Sequence, residues 1–337
     1  MATATLTREY TPATPARAGV IERVRDMPPT TRLYWMLRVG VALEFIGHGL
    51  AGLAQSKAWF PYYALFGISK GAATHYWFYV TGTIDITLAV TVLVRPMRAV
   101  LLHMTFWGFM TAVLRPVVGE SFFELVERGA NYGMPLAFVM LVGLGTGRGT
   151  WSWRDLFAKA EAPEALDARQ VDALAWVVRI SLALLLVGHG GLGIWAHKPE
   201  WLDFFGFFGI SQATVASAHL SQYVGLFEIG LGLAVLVKPV RELIVFVLVW
   251  KLGTEFLRPL VGQPMFQFIE RSGDYVLPVG FLLLAGLRGT LAHTAGSRTP
   301  ADPMSAQTWL RPAQPTGRPY PQQWHAPVDR DSVSAAV

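Results

Sequence analysis

The chain has no cysteine among its 337 residues. That excludes disulfides, thiol nucleophiles and cysteine-ligated zinc or iron–sulfur centres, so any redox chemistry must come from a bound molecule or a partner protein. Charge is also scarce: Asp, Glu, Lys and Arg make up 15% of the residues, against roughly 25% in soluble domains. The first 30 residues contain no apolar signal-peptide core. The N-terminal tail, 1–32, and the C-terminal tail, 293–337, the latter rich in Pro, Ser, Thr and Gln, are expected to be unstructured. The net charge of +5 comes from Lys and Arg gathered at turns and tails, so nucleic acid is not an expected partner. No metal site is expected either.

Long apolar stretches are abundant, with 53% of residues hydrophobic. Runs of the roughly 20 residues that cross a bilayer lie at 33–53, 76–94, 99–118, 130–147, 174–196, 220–237, 242–261 and 275–292. The expected fold is all-α, a polytopic membrane protein with eight transmembrane helices whose main partner is the lipid bilayer.

The spans come in two copies. LVGHGGLGIWAHKPEWLDFFGFFGIS (186–211) restates FIGHGLAGLAQSKAWFPYYALFGIS (45–69), and FLRPLVGQPMFQFIERSGDYVLP (256–278) restates VLRPVVGESFFELVERGANYGMP (113–135). The first four-helix repeat is expected at 33–147 and the second at 174–292, joined by a linker at 148–173. Four spans per copy is an even number, so the repeats are parallel. Eighteen Lys and Arg fall in the tails, the linker, the turns at Arg95, Arg98, Lys238 and Arg241 and, as Arg288, the end of the last span. The opposite side holds Lys57, Lys70, Arg128, Lys198 and Arg271. The positive-inside rule then puts both termini in the cytoplasm, with the chain in the cell (inner) membrane.

Two aromatic segments, 59–68 and 200–210, are too short to span. Each is either an interfacial anchor or a cover over a lipid-soluble molecule that arrives from the bilayer. Inside the spans, polar residues need a partner or a purpose. Asp85 and Glu228 hold matching positions in the second helix of each copy, as structural anchors or as proton carriers. His48 and His189, each flanked by glycines, are packing histidines, donors to a quinone carbonyl, or ligands of a bis-histidine haem. Arg115 and Arg258 close the third helices. With Glu127, Glu270, Asn131 and Asp274 they form charged outer clusters, either anchors and caps or a site for a small anion.

The copies also differ. Glu44 lies one turn before His48, where the second copy has Leu185. Lys251 and Glu255 precede Arg258, where the first copy has Gly108 and Ala112. One asymmetric centre would combine Glu44 and His48 with Lys251, Glu255 and Arg258. Alternatively, Lys251 and Glu255 neutralise each other within the bundle.

Arg38-x-Gly40 followed by His48-Gly49, and the acid–glycine helix Glu228-Ile-Gly230-Leu-Gly232, resemble the DoxX/DoxD-like family of four-helix membrane proteins. The resemblance implies association with oxidoreductase systems, among them the membrane subunit of a thiosulfate:quinone oxidoreductase, and emphasises His48, His189, Asp85 and Glu228. The expected function is a quinone-linked membrane oxidoreductase, or its membrane subunit, with quinone as cofactor and an outer-face site for a small anion or a redox partner protein. A non-catalytic scaffold and a proton or solute transporter are the alternatives. Nothing in the sequence sets the oligomeric state.

Overall fold

A computed structural model describes residues 19–68, 71–144, 152–196 and 198–296. Most of the two expected tails lies outside these residues. The described part is helical: α1 (Val20–Asp26), α2 (Pro29–Leu53), α3 (Phe60–Leu65), α4 (Ala72–Val94), α5 (Arg98–Val117), α6 (Phe122–Glu127) and α7 (Gly129–Val142), then α8 (Ala168–Gly191), α9 (Pro199–Phe207), α10 (Gln212–Ser217), α11 (Leu220–Val237), α12 (Arg241–Leu260), α13 (Met265–Ile269) and α14 (Ser272–Gly296). The described residues from 19 to 292 belong to one compact unit.

Among the described residues six stretches are long and apolar enough to cross a membrane: Pro29–Leu53, Ala72–Val94, Arg98–Val117, Ala168–Ala196, Leu220–Val237 and Met265–His293. Two of the eight expected spans fall short of that description. α7 has 14 residues rather than the 18 expected at 130–147, because Gly143 takes a left-handed φ of 66° and ends the helix. α12 is 20 residues long but carries Arg241, Glu242, Lys251, Glu255 and Arg258. Large apolar side chains on α4, α5, α11 and α12 face outward, among them Trp77, Phe106, Phe227 and Val249. A belt of this kind is far larger than the apolar patches that soluble monomers expose.

The N-terminal boundary differs from expectation. Residues 20–26 form α1, and α2 begins at Pro29, not 33, since proline at the first position of a helix lacks only an N–H that would go unpaired anyway. The linker is ordered where it is described. A 3-10 turn spans Trp153–Leu156, and the buried Ala160 donates to Pro96 O at 2.8 Å and accepts from the Tyr34 hydroxyl at 2.8 Å. α8 starts at Ala168 rather than 174, fixed by a reciprocal cap in which Asp167 and Gln170 bond each other's backbone N–H at 2.8 and 2.9 Å. α14 starts at Ser272 and runs to Gly296, longer at both ends than the expected 275–292.

α2 packs on α4 and α8 on α11, while α7 lies between α5 and α8. Two arginines at equivalent sequence positions secure these pairs. Arg38 donates to the α4 carbonyls of Val92 and Leu93 at 2.8 and 2.6 Å, and Arg179 donates to Val235 at 3.0 Å and to Leu236. Each also stacks on a tryptophan, Arg38 on Trp35 and Arg179 on Trp176, with the guanidinium carbon 4.4 Å from the ring centre in both. The last carbonyls of a helix lack intrahelical partners, so these arginines act as caps from a neighbouring element.

The short helices cross between the halves. α6 packs against α8, and α13 against α2. The glycine before each histidine makes this possible: a Cβ on Gly47 would strike the Glu270 backbone, and one on Gly188 the Glu127 backbone. The glycine after each histidine meets the next helix, Gly49 against Gly82 O and Gly190 against Gly225 O. Each histidine is therefore wedged where three helices converge.

Candidate functional site

The histidines sit between two kinds of space. A central cavity of about 400 Å³ is lined by both His48 and His189, by the cations Arg115, Arg128, Lys198, Arg258 and Arg271, and by Glu127, Glu270 and Asp274. Two apolar cavities flank it. One, of about 450 Å³, is walled by His48, Trp59, Tyr62, Tyr63 and Trp77. The other, of about 470 Å³, is walled by His189, Trp201, Phe204, Phe205 and Trp250. Both aromatic segments contribute walls, with α3 beside the first cavity and α9 beside the second.

The equivalent tryptophans lie tilted against the histidines, Trp59 with its ring centre 6.3 Å from that of His48 and Trp201 4.9 Å from that of His189. Arg115 lies 5.6 Å from the Tyr62 ring and Arg258 5.6 Å from the Phe204 ring, the same cation–aromatic contact in both halves. Each arginine thus lies at the boundary between polar and apolar space.

The carboxylates that hold the arginines come from different elements in the two halves. In the second half Glu255 on α12 accepts from Arg258 Nε at 2.7 Å and pairs with Lys251 at 3.1 Å and Arg271 at 3.3 Å. Lys251 also pairs with Asp274 at 3.5 Å. In the first half the position of Glu255 is Ala112, and the acids are supplied by Glu120, 3.0 Å from Arg115, and by Glu124 on α6, which pairs with Arg128 at 2.7 Å, Arg115 at 3.4 Å and Lys198. The counterpart of Glu124 is Gln267. Burial alone would raise the carboxyls of Glu124 and Glu127, but Lys198 and Arg128 outweigh it and hold both below the usual range, Glu127 well below. Burial also pushes the Tyr62 phenol up against the pull of Arg115, which keeps it a donor to Glu120 at 2.5 Å.

The acids beside the histidines also differ. Glu228 lies 2.5 Å from His189 Nδ1 and accepts the Trp250 indole N–H at 2.8 Å. Asp85, its sequence counterpart, is equally buried, yet its Oδ1 has no partner among the described residues, and neither has Oε2 of Glu44. Glu44, His48, Asp85 and Asn131 share a space of about 10 Å³, close to the smallest that holds one water. Asn131 also donates to Glu270 O at 3.4 Å, across the halves.

The expected single centre falls into two groups: Glu44 and His48 share the small space with Asp85, while Lys251, Glu255 and Arg258 form one buried ion cluster. Of these, His48 and Arg258 line the central cavity, together with Asp274. Residue spacing did not single out Trp59, Trp201, Trp250, Glu124 or Lys198. The two tryptophans near the start of the aromatic segments occur in both copies, and that repetition was the available signal. Glu124 and Lys198 occur once each and meet only through the crossing of α6 onto α8. Among the described residues no group of three or more His, Asp or Glu side chains is placed to hold a metal ion. Comparisons with family models, with characterised proteins and with solved structures give no match to this chain.

Proposed function

We propose that this is a quinone-linked membrane oxidoreductase, or the membrane subunit of one, similar to DoxX/DoxD-like proteins. The observation that carries the reading is that each histidine borders both an apolar cavity, suited to a quinone ring and its tail, and the central charged cavity, suited to a small oxidisable anion. The cavity's five cations against three carboxylates favour an anion. Reduction of quinone to quinol needs two electrons and two protons. The donor supplies the electrons, as when two thiosulfate ions join into one tetrathionate. The buried carboxyls of Glu44 and Asp85 stand next to the first cavity as proton carriers. A bis-histidine haem fits poorly, since the space both rings share is lined by charged side chains where a porphyrin needs apolar walls.

In the same reading the chain crosses the inner membrane eight times as two parallel four-helix repeats, with both termini cytoplasmic. α12 supports this because the charged side chains beyond its first turn point inward, Lys251 at 0% and Glu255 at 1% exposure, while Val249 and Phe256 face out. α7, about 21 Å long by its residue count, is shielded by protein on most sides and can be shorter than a lipid-facing span. The test is quinone reduction by purified protein with a panel of anions, thiosulfate first. His48→Ala and Arg258→Ala are expected to abolish the reaction, and wild-type rates in both would overturn the proposal. A lipid extract of the purified protein is expected to contain quinone.

A further inference from the structure

Two hydrogen bonds decide what His189 offers a ligand. Glu228 accepts the Trp250 indole N–H on one oxygen, and its other oxygen lies 2.5 Å from His189 Nδ1. A carboxylate has only acceptors to give, so Nδ1 carries the proton and the neutral ring keeps a lone pair at Nε2. That nitrogen is buried and has no partner among the described residues. Buried polar atoms are rarely left unpaired, and the ring that carries this one lines the apolar cavity beside α9 as well as the central charged cavity. The cavity's other polar groups are already committed: Thr254 donates back to Trp250 O at 2.9 Å, and Glu255 holds Lys251 and Arg258.

We infer that the second apolar cavity binds a lipophilic molecule by its hydroxyl group, which donates a hydrogen bond to His189 Nε2. A ligand that presents only a carbonyl would put one acceptor against another. Where the proton is transferred, the ligand O–H bond breaks, its electron pair stays on the oxygen, the Nε2–H bond forms, and Glu228 balances the imidazolium. The first cavity is not equivalent: Tyr62, Tyr63 and Thr81 stand where the second has Phe204, Phe205 and Val224. The inference shares the assignment of these cavities to lipid-soluble molecules with the proposed function, but does not depend on any electron transfer.

The test is calorimetric titration of the full-length protein in detergent with para-heptylphenol and with para-heptylacetophenone, which match in tail but differ in offering a donor or only an acceptor. Wild-type protein is expected to bind the phenol roughly tenfold more tightly, the factor that about 1.4 kcal/mol gives. Glu228→Gln reverses that order, because its amide oxygen keeps Trp250 while its N–H group faces Nδ1 and moves the ring proton to Nε2. His189→Phe brings the two affinities together. Equal affinities in the wild type, no binding of either ligand, or an unchanged preference in Glu228→Gln would overturn the inference. Phenol preference without quinone reduction would remove the redox proposal alone, and quinone reduction without phenol preference would remove this one alone.

Discussion

At the scale of residues, the polar groups repeated in both copies turn out to do two different jobs. Arg38 and Arg179 cap a neighbouring helix, which gives the Arg38-x-Gly40 pattern a structural explanation. His48 and His189 border cavities. The residues that occur once balance charge: Glu255 in one half and Glu124 in the other hold equivalent arginines from different helices. Removing one member of a buried ion cluster leaves charge without a partner, at a cost of about 3–5 kcal/mol. Glu255→Ala is therefore expected to lower the thermal unfolding temperature in detergent sharply. Lys251→Met combined with Glu255→Leu is expected to recover much of the loss, because both members of that pair then leave together. A double variant no more stable than Glu255→Ala would contradict this account. Spacing on α12 was enough to suggest that Lys251, Glu255 and Arg258 share a face. The sequence grouped Arg271 with Arg258 in the outer cluster but did not show that Arg271 pairs with Glu255, a contact that spans the segment between α12 and α14.

At the scale of elements, the glycines around each histidine show how a motif becomes a packing device. Gly47 and Gly188 admit the backbone of a short helix from the other half, and Gly49 and Gly190 admit the next long helix. Gly188→Ala would put a Cβ into the Glu127 backbone, which has no flexible end to move aside. It is expected to reduce both folded yield and thermal stability. Gly230→Ala, in the middle of α11 with nothing within 4 Å of the added carbon, is expected to be neutral or slightly stabilising, because alanine is the better helix former. If the two variants unfolded at the same temperature, the close approach would not be what these glycines serve. The aromatic segments were legible as elements too short to span. Their position beside the apolar cavities depends on which helices they fold against.

At the scale of the whole molecule, the absence of cysteine makes the proposed topology easy to test. Single cysteines at Lys57 and Lys238 should react with an impermeant thiol reagent from opposite sides of the membrane, Lys57→Cys from outside and Lys238→Cys only after the cytoplasmic side is opened. Labelling of both from one side would contradict parallel repeats with cytoplasmic termini. In the proposed eight-span reading, the two helices that fell short do not have to satisfy lipid along their whole length: α12 buries Lys251, Glu255 and Arg258 among protein partners, and α7 is shielded by its neighbours.

The sequence by itself determined that the chain is helical, rich in bilayer-length apolar runs and internally repeated, because these follow from composition and from period along the chain. It also named most of the polar residues that line the cavities. Only the tertiary structure decided how they are shared. The crossing of α6 onto α8 and of α13 onto α2 brings Glu127, Glu270, Arg128 and Arg271 into one polar space between the histidines. It was tertiary packing, too, that gave His189 a carboxylate partner and left an oxygen of Asp85 without one. Those outcomes depend on contacts between residues 39 to more than 100 positions apart, which no local pattern encodes.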